Sequence, residues 1–135
     1  AEGVEVDVYN THLEAGSNAN SNAARENGVE ILLKTIKTRS AGRALILAGD
    51  FNLKFKDGGH DLKMLNRLVD EGGLTLVCTT LKCTDDRVDR IYYRDSADLT
   101  WTPLQRTVET TFVDSKGVEL SDHEPLSARL GWELK

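Results

Sequence analysis

Hydrophobic and polar residues switch between two periods along this chain, and the switches mark its elements. Val4, Val6 and Val8 alternate with Glu5, Asp7 and Tyr9, the period-two pattern of a strand with one buried face, and the run ends at Asn10-Thr11-His12-Leu13. A polar stretch of small residues follows over 14–22. Ala24, Val29, Leu32, Leu33 and Ile36 then recur at helical spacing with Arg25, Glu26, Lys34 and Lys37 between them. This predicts an amphipathic helix capped near Asn20 or Ser21 and fraying by Ser40 to Gly42. Ala44-Leu45-Ile46-Leu47-Ala48 is apolar throughout, as in a strand covered on both faces, and leads straight into Gly49-Asp50-Phe51-Asn52.

Residues 53–60, with Lys54, Lys56, Asp57 and the pair Gly58-Gly59, read as a loop. Leu62, Leu65, Leu68 and Val69 predict a short helix ended by Gly72-Gly73. A brief strand is expected over 74–77, and a clearer one over 87–94 with Asp89 inside it. Residues 99–113, rich in Thr, Val, Trp and Phe, hold one or two more, Asp114-Ser115-Lys116-Gly117 is a turn, and 126–132 alternates again. Strands interleaved with helices give an α/β class, with no internal repeat or linker.

With 135 residues, one domain is the expected count. Lysine and arginine number 17 against 22 aspartates and glutamates, a formal charge of −5. That balance argues against broad, nonspecific adhesion to nucleic acid or anionic membrane. A phosphate substrate stays open, because a bound cation supplies positive charge locally. The apolar runs are too short to cross a bilayer, so no transmembrane segment is expected. Ala1-Glu2-Gly3 opens the chain with neither an initiator methionine nor a leader, so the expectation is that upstream sequence has been removed or never belonged to this stretch. Cys78 and Cys83 do not form a zinc-binding pattern. They either close a small disulfide loop, which suits a secreted or periplasmic protein, or are two half-buried thiols.

Chemistry concentrates in four short segments at strand ends: Asn10-Thr11-His12-Leu13, Gly49-Asp50-Phe51-Asn52, Asp89-Arg90-Ile91 and Ser121-Asp122-His123. Loops at strand ends present functional groups without disturbing a core. Asp50 and Asn52 are one residue apart, so in extended backbone both point to one side and Phe51 to the interior. Together they offer oxygen ligands suited to a hard divalent cation, or merely an Asx turn after a strand. His123 after Asp122 reads equally as a surface pair.

In content and order the four segments resemble the second half of the endonuclease/exonuclease/phosphatase superfamily, which includes DNase I-like nucleases and bacterial sphingomyelinases. The resemblance covers essentially the whole chain, and Gly49-Asp50-Phe51-Asn52 and Ser121-Asp122-His123 are its specific elements. It implies that residues 1–135 are a single domain or half-domain, the C-terminal portion of the four-layer α/β sandwich of DNase I-like enzymes. It also implies metal-dependent hydrolysis of phosphoesters by in-line attack of water. His123 is then the general base and Asp89 its orienting carboxylate. His12 contacts the scissile phosphate or the leaving oxygen, and Asn52 contacts phosphate or metal. Asp50, Asn52 and Asp122 are the metal side, with Mg²⁺ as cofactor and Mn²⁺ or Ca²⁺ as substitutes. Arg90, Lys54 and Lys56 touch flanking phosphates or are solvated surface charge.

The superfamily's first half normally supplies an asparagine and a metal-binding glutamate, for which nothing before Val4 can stand in. Glu14, Glu109 and Glu124 lie near motif ends as substitutes, with no pattern favouring one. Half a sandwich also exposes the inner face of a sheet, to be covered by the missing N-terminal half or by a homodimer mate. Two classes of function follow. One is a Mg²⁺-dependent phosphodiesterase acting on nucleic acid or on a phospholipid headgroup. The other is a noncatalytic binding or assembly module. A lipid enzyme calls for an exposed apolar hairpin, and the pattern presents none; Trp101 and Trp132 are expected in the core. His60 is expected as a solvated loop residue.

Overall fold

The computed structural model describes residues 3–135, so Ala1 and Glu2, with the reading of the chain's opening, lie outside the described residues. Alternating valines commit the first segment to extended backbone, forming β1 (Val6–His12). Helix α1 spans Ala19–Arg39. It starts earlier than the sequence pattern predicts because the side chain of Asn18 accepts the backbone N–H of Ser21 at 2.9 Å, satisfying a donor that the first helical turn leaves free. Its inward stripe is Ser21, Arg25, Val29, Leu33 and Ile36. The chain continues through β2 (Ala44–Asp50), α2 (Gly59–Asp70), a two-residue β3 (Thr75–Leu76), a short α3 (Val77–Leu81), β4 (Asp89–Arg94), β5 (Leu99–Val108) and β6 (Leu126–Leu134).

These elements form a four-stranded sheet in the order β1-β2-β4-β3 and a two-stranded antiparallel sheet of β5 and β6. The α/β class expected from the pattern is what forms. β1 and β2 run parallel with α1 between them in sequence, while β2 and β4 run antiparallel. Two details differ from expectation. The strand expected over 74–77 stops after two residues and turns into α3. Asp89 opens β4 instead of lying inside it, whereas 99–113 yields one strand, within the one or two expected.

Helices cover one face of the larger sheet. Leu45, Leu47 and Tyr92 point into a core with Val29 and Ile36 of α1 and Met64, Leu65 and Leu68 of α2, all essentially inaccessible. Each such side chain contributes about 1.5–3 kcal/mol of transfer free energy. The opposite face is open: Val8 is 71% exposed, and Ile46, Ile91 and Tyr93 are only half-buried. The apolar run of β2 is therefore not buried on both sides as its sequence predicts. Leu126 of β6 reaches this outer face beside Asn10, Ala48 and Ile91.

Gly49 closes β2 with φ +145°, and a Cβ there would lie 1.9 Å from the carbonyl oxygen of Thr11. Only glycine lets β1 and β2 approach this closely just before Asp50.

Candidate active site

Strand register builds the site. His12, at the end of β1, is paired with Asp50 at the end of β2, and Asp50 with Asp89 at the start of β4. Register partners point to the same face, so three functional side chains from distant stretches form one row across the sheet, on its open side. His123 arrives from the other sheet, on the loop before β6. Its Nδ1 lies 2.9 Å from Asp89 Oδ2 and its Nε2 lies 3.7 Å from Asp50 Oδ2. His12 Nε2 lies 3.4 Å from the same Asp50 oxygen.

The Asp89 carboxylate, by hydrogen bond and by charge, holds the His123 imidazole above its ordinary pKa; exposure keeps the opposing effect of burial small, and Asp50 and Asp122 add to the rise. Nδ1 faces the carboxylate, so in the neutral ring Nδ1 carries the proton and Nε2 has its lone pair free on the side of Asp50. That is the tautomer a general base needs.

Asn52 is fixed by its own hydrogen bonds. Its backbone N–H donates to Asp50 Oδ1 at 2.8 Å, while its amide nitrogen donates to Leu13 O at 2.9 Å and to Asp50 Oδ2 at 3.2 Å. The carbonyl of Leu13 sets which amide atom is nitrogen. Both amide hydrogens are therefore engaged, and the amide oxygen is the atom left to face a ligand, which favours the metal side of the expectation for Asn52 over the phosphate side. The backbone takes φ +50° at this residue, a region that asparagine tolerates better than most. Phe51 is fully buried, edge-on to Tyr92, as the one-residue spacing of Asp50 and Asn52 predicts.

Asp50, Asp89 and His123 each offer a ligand atom within 4.8 Å of the others. With the Asn52 oxygen nearby, the set is rich in hard oxygen donors and fits a divalent cation such as Mg²⁺, which also retains water ligands. Asp122 is not part of this group; it is exposed on the loop. Asp89, expected only to orient the base, takes its place in the cluster. None of the three glutamates considered as substitutes joins it: Glu14 is exposed, Glu109 accepts from Ser127 Oγ, and Glu124 pairs with Arg87.

Arg90 requires a correction. It points to the helix-covered face, 5% exposed, where its guanidinium donates to Leu53 O and Asp86 Oδ1 and lies 4.6 Å from the Phe55 ring centroid. Strand alternation turns it away from the open face that Asp89 occupies, so it neither reaches a substrate phosphate nor sits in solvent. Lys54 and Lys56 are exposed as solvated charges. His60 lies in the first turn of α2 rather than in a loop, with its side chain 24% exposed, 3.4 Å from Asp61 and 3.9 Å from Glu26. A cleft lined by Gly16, Asn22, Asn52, Lys54, His60 and His123 runs outward from the site.

The sequence pattern missed Arg25, read as a polar spacer within the helix. It is 3% exposed, and it donates to Glu14 O at 2.9 Å, to Gly16 O at 2.6 Å and to Asn22 Oδ1, pinning the loop that follows His12. Arginine at a position with the periodicity of Ser21, Val29 and Ile36 was the available signal.

This mixed α/β arrangement of sheets with outer helices is a fold shared with known structures, matched over roughly half of their length. Sphingomyelinases of Mycobacterium tuberculosis and Mycobacterium bovis are 33% identical to this chain over 136 residues, covering 91% of it and 27% of each relative. A humanized D. rerio TDP2 carrying 14 mutations superposes with a TM-score of 0.71 at 23% identity, over 96% of this chain and 54% of that one. D. rerio TDP2 in complex with a single-strand DNA product gives a TM-score of 0.64 at 20% identity, over 90% and 54% of the two chains. At these identities the two structures establish the fold alone. The chain thus spans about a quarter of the sphingomyelinases and about half of the TDP2 chains. No protein-family model matches it.

Proposed function

We propose that this chain carries the base and part of the metal shell of a divalent-cation-dependent phosphodiesterase. The observation that carries this reading is the pairing of His123 with Asp89 at 2.9 Å beside Asp50. His123 Nε2 takes the proton of the attacking water, and Asp89 fixes the ring and stabilises the imidazolium that forms. His12, 73% exposed at the rim, donates to a phosphoryl oxygen or to the leaving oxygen. Asp50, Asp89 and the Asn52 oxygen would hold Mg²⁺, with Mn²⁺ or Ca²⁺ as substitutes; when bound, the cation neutralises charge building on the phosphoryl oxygens.

The open face of the larger sheet is the seat for a further sheet, from the N-terminal half of a longer chain or from a homodimer mate. The Cys78–Cys83 disulfide fits a secreted or periplasmic setting. Among the described residues no helix is long and apolar enough to cross a membrane.

Hydrolysis of bis(p-nitrophenyl) phosphate with Mg²⁺ tests the reading. With only part of the metal shell, the chain alone should hydrolyse the diester weakly or not at all, and His123→Ala should remove whatever Mg²⁺-dependent rate it has. A residual rate unaffected by EDTA or by His123→Ala, or no Mg²⁺ binding in a calorimetric titration of the folded chain, refutes the reading and leaves the noncatalytic module.

One observation favours a lipid phosphodiester over nucleic acid. Residues 109–121 form a hairpin closed by the bridge between Val113 and Glu119, and its apolar side chains are exposed: Phe112 at 55%, Val118 at 60% and Leu120 at 67%. This hairpin precedes His123 by only a few residues. Trp132, expected in the core, is likewise exposed at 52%. Apolar tips beside the base suit insertion among lipid headgroups, and the sphingomyelinase relatives accord with that. Replacing Phe112 and Leu120 by Ser should abolish sedimentation with phosphatidylcholine–sphingomyelin vesicles while leaving hydrolysis of the soluble diester intact. Unchanged sedimentation refutes the lipid reading.

A further inference from the structure

The two sheets meet at a second set of charged contacts, one residue away from the base. Arg87 lies two residues before Asp89, and Glu124 immediately follows His123. Arg87 Nη2 donates to Glu124 Oε2 at 2.5 Å, and Arg87 Nε donates to Asp85 Oδ2 at 2.9 Å. Arg106 of β5 grips the same Asp85 carboxylate as a fork, at 2.9 Å and 2.7 Å. Four charges from the approach to β4, from β5 and from the approach to β6 thus form one chain of contacts.

The loop carrying His123 needs such a tether. Ser121, Asp122, His123 and Glu124 are all exposed. The other hydrogen bonds of this stretch stay within it or within its own sheet: His123 N to Ser121 Oγ at 3.1 Å, and Glu109 N to Pro125 O at 2.9 Å. Among the described residues, the loop's ionic links to the larger sheet are those of His123 with Asp89 and Asp50 and that of Glu124 with Arg87. A base whose only anchor is its catalytic partner would sample many orientations.

We propose that Arg87 and Glu124 are positioning residues that brace the His123 loop, so that the imidazole arrives on Asp89 in one orientation. This rests on the reading of His123 as the base. Arg87 suits the task because its planar fork serves two carboxylates at once, Asp85 on its own segment and Glu124 across the junction. An ammonium group cannot reproduce that geometry. Asp85, in turn, is held by Arg106, which ties the brace to β5 of the second sheet. An isolated exposed pair would contribute little, whereas a linked set with a bidentate member orders its segment.

The test uses Arg87→Ala, Glu124→Ala, the double variant and Arg87→Lys, with two readouts. In the first, hydrogen exchange of the His123 amide, which donates to Ser121 Oγ, should quicken about 10-fold in each single variant, with Arg87→Lys intermediate. In the second, kcat on the soluble diester should fall about 10-fold while KM stays within about twofold, as misorientation of a base predicts. The double variant should be no worse than either single one, because both remove the same contact. Parental exchange rates in Arg87→Ala, or losses that multiply in the double variant, overturn the brace. If the parent protein shows no hydrolysis, the exchange measurement decides the brace by itself, and Mg²⁺ binding measured by calorimetry decides the functional reading.

Discussion

Asp89→Asn tests the central contact with little change of shape, because asparagine keeps the size and one acceptor oxygen; Asp89 is also among the groups that would hold the cation, so rates are compared at saturating Mg²⁺. The His123 Nδ1 to Asp89 Oδ2 distance is 2.9 Å, with the two side chains 42% and 24% exposed. A hydrogen bond to a charged group contributes about 1.5–3 kcal/mol, and water reaches both partners here, which places this pair in the lower half of that span. The loss of imidazolium stabilisation is then about 1.5–2 kcal/mol, or about 10- to 30-fold in kcat. That is far below the loss of about 10⁴ produced by the same change in a deeply buried triad.

The pH dependence carries the sign. Asp89 raises the His123 pKa above the ordinary 6.5, and a base must be neutral to accept a proton. The acid limb of the rate profile therefore lies above pH 6.5 in the parent and moves down in Asp89→Asn. Stability follows the same linkage. The contribution of this pair is fully present below the unfolded pKa and fades as pH rises through the folded one, so the variant loses stability mainly on the acid side of neutrality. Rate profiles on the soluble diester, with an NMR titration of the His123 ring in EDTA, measure both. An unchanged kcat together with an unmoved titration midpoint would show that Asp89 does not act on His123.

Three further predictions concern the scaffold. The Tyr92 hydroxyl is buried without a hydrogen-bond partner, and burial pushes its pKa up to about 12; Tyr92→Phe removes this cost and should leave the melting temperature equal or higher. Burial pulls the Asp86 carboxyl upward in pKa, but the N–H of Lys56, the Arg90 guanidinium and the N–H of Phe55 outweigh it and hold the carboxyl below 3.8. Its contribution is present above pH 3.8 and lost as pH falls through the folded value, so Asp86→Asn should cost about 3 kcal/mol at neutrality and flatten the acid limb of a denaturant-unfolding series. Gly49→Ala would drive a Cβ to 1.9 Å from Thr11 O, and calorimetry should show a melting temperature lower by about 10 °C or more, or no cooperative transition.

Local patterning made much of this molecule legible. The alternation before His12, the helical stripe of Val29, Leu33 and Ile36, and the apolar run before Asp50 each have one good local solution. The site was legible because its groups sit at the ends of those elements. What patterning could not supply was tertiary context. Ile46 and Leu47 look alike in sequence, yet one faces helices and the other an open side, so the run read as doubly covered is covered once. Arg90 looked like a solvent or phosphate contact because alternation does not say which face is inward. Asp86, four residues earlier, decides that by taking the guanidinium into the core. The hairpin with Phe112, Val118 and Leu120 escaped notice because its apolar residues have no period, and their meaning comes from standing beside His123.

The open face and the site are one surface. Reading along it toward the strand ends, register rows run from Val8, Ile46 and Tyr93, through Asn10, Ala48 and Ile91, to His12, Asp50 and Asp89. Apolar character gives way to chemistry within two rows. Any sheet that covers the first row brings a wall up to the third, and the exclusion of water strengthens the His123–Asp89 contact there. Coverage and catalysis are therefore coupled by geometry: Val8→Ser, which adds no charge and touches no group that handles the proton, should weaken coverage of the face and lower kcat on the soluble diester, and an unchanged kcat in a covered protein would refute the coupling.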